Sequence, residues 1–201
     1  MEYLIAVCLG IGLAVSSGFR IFMPFALLSL ASLFNFIELN ETFLWIGTPL
    51  ALMIFIVATI VEILAYYFPY ISNLLDTIEA PMAYFAGVIL LVAVVPDMNP
   101  AIKWSVAIIA GGGVSVTTQL STAGVRGALN FASGGIANVI VSTFEIIMSM
   151  FLAFIAILLP ILVPLILILL FILIKKILKK MKKIKLNYQN KKQNKKGDCF
   201  N

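Results

Sequence analysis

Long apolar runs broken by short polar clusters organise this chain. From Tyr3 to about Phe36 nearly every residue is apolar, with one interruption at Ser16-Ser17-Gly18. As a single helix this stretch would measure roughly 50 Å, too long for one ordinary span; divided at the interruption it gives halves of ~20 to 26 Å, each short for a crossing. Asn35 to Thr42 forms a polar connector with Glu38 and Glu41. A full span is predicted from about Phe43 to Phe68, with Glu62 in its second half. Pro69 to Asp76 reads as another connector, and Asp76, Glu79 and Pro81 read as the start of the next helix, because acidic residues and an early proline suit a helix N-terminus. That helix runs to about Val95 and ends at the turn signal Pro96-Asp97-Met98-Asn99-Pro100.

The second half opens with a unit from about Ala101 to Ala137, whose centre, Thr117 to Arg126, is unusually polar. Gly111-Gly112-Gly113 precedes that centre and Ser133-Gly134-Gly135 follows it. The rest, Ile136 to Leu178, would be about 65 Å long as one helix, so Pro160 and Pro164 are expected to kink or divide it. A shift of 106 residues aligns Gly18 with Gly124, Arg20 with Arg126, Phe25 with Phe131 and Ala26 with Ala132. Short, glycine-interrupted segments at matching places in two halves are the pattern of broken or re-entrant helices lining a site. The predicted fold is therefore all-α: a polytopic integral membrane protein of two pseudo-repeated halves, each with a broken or re-entrant helix. The repeat units are about 3–36 and 101–137, within a single transmembrane domain at 1–185, and 186–201 is a lysine-rich tail predicted to be disordered.

Composition sharpens this picture. With 62% apolar and 11% charged residues and a mean hydropathy of +1.11, the chain is unlike a soluble domain. Its net charge of +5 comes from one end, since eleven of its fourteen basic residues lie from Lys175 onward. The body before the tail is net acidic. A lysine-rich segment beside a membrane helix stays in the cytoplasm, which predicts a multi-pass protein of the inner membrane with a cytoplasmic C-terminus. Membrane lipids are the expected partners of that tail; no aromatic interleaving supports nucleic-acid binding. Cys8 and Cys199 make no disulfide framework, and the chain has no histidine, which excludes a His-dependent base. Nothing reads as a metal site, a cofactor site or an enzyme; homo-oligomer formation is left open.

The residues that bear chemistry are few. Arg20 and Arg126 are two of only three basic residues before Lys175, and both sit in apolar surroundings. An arginine near the bilayer centre costs at least about 3 kcal/mol without a partner, a hydrated cavity or a ligand. Read as functional, the two converge and hold an anionic group, helped by half-helix N-termini. Read as structural, each pairs with a buried glutamate. Glu62 and Glu145 are the natural counter-charges, either coupling a proton or completing ion pairs. Thr118, Gln119, Thr122 and Asn130, with Thr117 and Ser121 beside them, line a polar path or bond within their own helix. Gly18, Gly124 and Pro24 are expected at structural hinges.

At these residues the chain resembles a bacterial membrane family known as domain of unknown function 4126. Gly18, Arg20, Phe22 and Pro24 match its early Gly-x-Arg-x-Phe-x-Pro segment, and Glu62 its helix glutamate. Leu75, Asp76, Pro81 and Gly87 match a following stretch. Ala123, Gly124, Arg126, Asn130, Asn138, Ser142 and Glu145 match the second half. Thr122 and Ile146 depart from it, standing where the resemblance implies a lysine and an aspartate. The resemblance implies a fold and a residue set, not an activity. From the residues, the expected function is a transporter or translocator of an anionic small molecule or lipid with an arginine-lined midplane site. Its rival is a structural or channel-like membrane protein whose Arg/Glu pairs stabilise the fold.

Overall fold

Helix α1 (Glu2–Ser17) stops at the serine pair, and α2 (Phe22–Leu33) begins a few residues later, so the first apolar run breaks where its sequence predicts. A computed structural model of the chain describes residues 2–133, 136–165 and 168–169. The break has local causes. Ser17 Oγ donates back to the Ala14 carbonyl at 2.9 Å. The Gly18 amide is shared between the Ala14 and Val15 carbonyls at 3.3 and 3.1 Å, and the Phe19 amide bonds three residues back to Ser16, which tightens the last turn. Pro24 lies in the first turn of α2, where its missing N–H removes a group that has no helical partner anyway. It helps begin α2 rather than acting as a hinge.

Residues 41–47 form a 3₁₀ segment capped by Asn40, which delays the next helix, α3 (Pro49–Tyr66). Thr48 caps α3, its hydroxyl accepting the Ala51 amide at 3.2 Å, and Pro49 takes the first helical position. Helix α4 (Pro69–Val94) begins at Pro69, so the stretch to Asp76 predicted as a connector is helical. The proline presets its first turn, while Asp76 and Glu79 serve partners on other helices instead of capping a start.

The second half departs from the expected repeat. Helix α5 (Pro100–Val106), a π-helical segment at 107–112 and α6 (Gly113–Ser133) are contiguous, and no break occurs at Gly124. The polar centre is satisfied by its own backbone: Thr117, Thr118 and Ser121 hydroxyls donate to the carbonyls of Gly113, Val114 and Thr117 at 2.7 to 2.9 Å. A polar stretch that bonds itself has no need to unwind. The two Gly-x-Arg segments thus fold differently, one at a helix break and one inside a helix. Helix α7 (Ile136–Leu158) ends just before Pro160.

Pro49–Tyr66, Leu74–Val94, Pro100–Leu129 and Val139–Leu158 are long and apolar enough to cross a membrane, and α1 and α2 are shorter apolar helices. The chain is an all-helical membrane protein. Cα packing divides it into two units, Met1–Val163 and Pro164–Asn201. In the first, α1 packs on α4 and α7, α2 on α3 and α7, and α4 on the π segment and α6. Small residues let these backbones meet. A Cβ at Gly10 would lie 2.9 Å from Leu91, and one at Gly18 would lie 2.5 Å from the Ser115 carbonyl and from Thr118. Gly87 of α4 and Gly111 of the π segment abut face to face. The second unit is helical at 164–165 and 168–169; the tail at 186–201 and Cys199 lie outside the described residues.

Candidate functional site

Five parts of the first unit deliver polar side chains to one buried place. The α1–α2 break brings Arg20, α3 brings Glu62 and Tyr66, α4 brings Asp76 and Glu79, α6 brings Gln119 and Arg126, and α7 brings Ser142 and Glu145. Arg20, Arg126 and Tyr66 are fully buried. Glu145 bridges the two arginines through one oxygen, Oε2, which lies 3.3 Å from Arg20 Nη2 and is also bonded by Arg126 Nη2. Arg126 Nη1 pairs with Asp76 Oδ1, the more exposed carboxylate. The Tyr66 hydroxyl donates to that same oxygen at 3.2 Å. Both guanidinium carbons lie over the Tyr66 ring, at 3.9 and 4.1 Å from its centroid, so one aromatic π-face system contacts two cations.

Glu62 does something different. Its two oxygens accept the Ile21 and Phe22 amides at 2.8 and 3.2 Å. A carboxylate from α3 therefore caps the positive end of α2. Glu79 accepts from Gln119 Nε2 at 2.7 Å. Neither Glu62 nor Glu79 forms an ion pair among the described residues. Several buried atoms have no hydrogen-bond partner among the described residues: Arg20 Nε and Nη1, Arg126 Nε, Gln119 Oε1, Ser142 Oγ and Glu145 Oε1. Serine pairs fasten the surroundings. Ser16 meets Ser149 of α7 at 2.9 Å, and Ser17 meets Ser115 of α6 at 2.8 Å.

The cluster lies toward one end of the apolar spans. Asp76 is two residues and Glu145 six residues into their apolar spans, while Arg126 and Glu62 are three and four residues from the ends of theirs. At ~1.5 Å per residue, all sit within roughly 10 Å of one end of the spans.

Of the residues singled out by sequence, Arg20, Arg126, Glu62, Glu145 and Gln119 come together here. Thr118 bonds Val114 of its own helix and Thr122 bonds Gln119, so their hydroxyls serve the backbone. Asn130 belongs to α6 by its backbone, but its side chain lies outside the described residues, as does that of Asn138. Gly18 sits at the break; Gly124 lies in a continuous helix, with open space where a Cβ would stand. Tyr66 is not singled out by the sequence, which reads Asp76 and Glu79 first as helix-entry residues and only second as gating residues. A signal existed: Tyr66 is four residues after Glu62, and Asp76 and Glu79 are three apart, so each pair shares a helix face. Asp97 and Lys103 pair at 3.6 Å near the other end of α4, away from the cluster. Among the described residues, no three His, Cys, Asp or Glu side chains converge as metal ligands would.

The model of a family described as a domain of unknown function (DUF4126) matches residues 7–180. No curated protein and no solved structure matches the chain. The chain belongs to the DUF4126 family.

Proposed function

We propose that this DUF4126 protein is a proton- or cation-coupled membrane transport protein, with the arginine–carboxylate cluster as its coupling element. The observation that carries this reading is charge balance. Two arginines face four carboxylates, Glu62, Asp76, Glu79 and Glu145, all in the low-dielectric body of the protein. An uncompensated charge there is costly, so the surplus negative charge calls for protons or a cation. The anion expected from sequence would have to share guanidinium groups that already have carboxylate partners, Arg20 in Glu145 and Arg126 in Glu145 and Asp76. It would do so through the Nε and Nη1 atoms of Arg20 and the Nε of Arg126, which have no partner among the described residues, and the N-terminus of α2 is already occupied by Glu62.

The helix order supports a re-entrant pair. The Tyr3 hydroxyl, near the start of α1, donates to the Asp97 carbonyl at 3.4 Å, and Asn40, after α2, donates to the Asp97 carboxylate at 2.6 Å. On this reading α1 and α2 enter and leave at one face, with their break at the cluster. The lysines from Lys175 favour a cytoplasmic C-terminus in an inner membrane.

Infrared difference spectra of the protein in nanodiscs, between neutral and acidic pH, test the coupling role. A protonated-carboxyl band is expected to grow as pH falls and to shrink in Glu79→Gln or Glu62→Gln. The structural alternative draws on the arginines' carboxylate pairing. It requires that no part of the titrating band is lost in Glu62→Gln or Glu79→Gln, since the chain's other carboxylates add to the band under either reading; that result would end the coupling reading.

A further inference from the structure

The C-terminal half of α6 is held to the rest of the protein by very little. Over 120–128 Arg126 is the one buried residue, while Leu120, Val125 and both glycines of the stretch are exposed. A Cβ at Gly124 or Gly127 would meet nothing within 4 Å. A helical arm with so few buried apolar contacts has little besides its charge to keep it docked. The base of the helix is different. Gly111, just before it, abuts Gly87 of α4, the Ser115 hydroxyl meets that of Ser17 at 2.8 Å, and a Cβ at Gly18 would strike the Ser115 carbonyl and Thr118. Close backbone packing thus fixes one end of α6, and the pairs of Arg126 with Asp76 and Glu145 fix the other. The π segment aims that arginine. Lys103 and Arg126 are both buried and lie 23 residues apart. On an unbroken α-helix that spacing is about 6.4 turns, which would point them roughly 140° apart. A π turn takes about one residue more than an α turn, which brings them to roughly 40° and lets Lys103 reach Asp97 while Arg126 reaches Asp76.

Behind Arg126 lies a buried site whose polar atoms are only partly used. Arg20 Nε and Nη1, Arg126 Nε, Ser142 Oγ and Glu145 Oε1 have no partner among the described residues, and all four residues are nine-tenths or more buried. Buried donors and acceptors in that condition gain by meeting water. We infer that the 120–128 arm of α6 is a lid over this site, closed by the bonds of Arg126, and that opening it hydrates Glu145. The choice of residue supports a lid: a contact made by charge is undone by neutralising its partner, whereas an apolar contact is not. The groups that face Arg126 are Tyr66 of α3, Asp76 of α4 and Glu145 of α7, with Arg20 across Glu145 and Glu79 of α4 joined to the same helix through Gln119. This assignment rests on the coupling role proposed above and names its gate. Protons or small cations would reach Glu145 from the end of the spans where the arm lies.

The test compares cysteine reactivity at two depths of α7. It uses the full chain in nanodiscs, with Cys8 and Cys199 replaced, and a small charged methanethiosulfonate at one fixed pH. Ser142→Cys places a thiol on the face of α7 that carries Glu145, one turn away. Ser149→Cys places one about two turns further along, against Ser16 of α1. A buried thiol reacts only when water and reagent reach it. Asp76→Asn cuts one bond of Arg126 and leaves Glu145 in place. In that variant Ser142→Cys is expected to react at least about tenfold faster, while Ser149→Cys stays slow. Arg126→Lys, which keeps the charge and loses the planar fork, is expected to raise the Ser142→Cys rate as well. Thermal unfolding confirms that each variant is folded, and Arg126→Lys keeps the test decisive where Asp76→Asn is not. Equal acceleration at both positions overturns the assignment, because the whole bundle has then loosened; so does an unchanged Ser142→Cys rate in folded variants. If that rate is unchanged while part of the carboxyl band is lost in Glu62→Gln or Glu79→Gln, only the lid falls. If no part of the band is lost, the coupling reading falls with it.

Discussion

Tyr66 holds both cations of the cluster through its ring and Asp76 through its hydroxyl. Removing the hydroxyl and removing the ring should therefore have separable effects. Tyr66→Phe keeps the face presented to the guanidinium groups, whereas Tyr66→Leu loses it, and the difference in stability is expected at about 1 to 2 kcal/mol by thermal unfolding. Arg126→Gln leaves Asp76 and Glu145 short of a counter-charge and is expected to destabilise by about 3 to 5 kcal/mol. Adding Asp76→Asn should return part of that loss, because it removes a stranded carboxylate; a double variant no more stable than Arg126→Gln would contradict the pairing. Arg20, Arg126, Glu62 and Glu145 were legible in the sequence because an ionised group in an apolar run is conspicuous by itself. Tyr66 was not, since a tyrosine at a span end looks like an interfacial residue until its neighbours are known. Asp76 and Glu79 were seen and misplaced, because acidic residues near a proline are equally the mark of a helix start.

At the scale of the element, small residues separate close contacts from loose ones. Gly87 and Gly111 bring α4 against the π segment, where a Cβ on either would meet the other's backbone. Gly87→Ala should cost about 1 to 3 kcal/mol, the usual range for overpacking. Gly124→Ala meets nothing within 4 Å in a continuous helix, so it should be neutral or stabilising by up to about 1 kcal/mol. Thermal unfolding of the two variants side by side reads this directly, and a large loss in Gly124→Ala would restore the hinge expected there. The same comparison shows why the break at Ser16-Ser17-Gly18 was readable and the continuity of α6 was not. Serines and a glycine at the end of an apolar run loosen it visibly. Whether threonines unwind a helix or bond its carbonyls depends on rotamers that a sequence does not display.

For the whole molecule, the proposed reading joins a re-entrant α1–α2 pair to a charge cluster near one end of the apolar spans. Its sidedness is checkable with single cysteines in a background where Cys8 and Cys199 are replaced. Cysteines at Phe36 and Asn99 should react with an impermeant thiol reagent from one side, and a cysteine at Phe68 from the other. Labelling of Phe36 and Asn99 from opposite sides would remove the re-entrant arrangement. The number and order of apolar segments made the all-helical membrane fold legible in the sequence; the continuity of α6 through Gly124 was not, because the 106-residue repeat suggested a second break.

The central claim is that the cluster changes state with its charge. Arg126 of α6 is tied to Asp76 of α4 and lies against Tyr66 of α3, so this cluster ties the α3–α4 turn to α6. Adding protons to the carboxylates weakens that tie. The most direct measurement is the distance between spin labels at Phe68 and Val125, taken by pulsed electron resonance in nanodiscs across a pH series. A second, longer distance is expected to gain population as pH falls, and Asp76→Asn, which removes the carboxylate partner of Arg126, is expected to show it even at neutral pH. A single distance distribution, the same at every pH in folded protein and unmoved by Asp76→Asn, would leave the arginines and carboxylates as fixed struts of the fold.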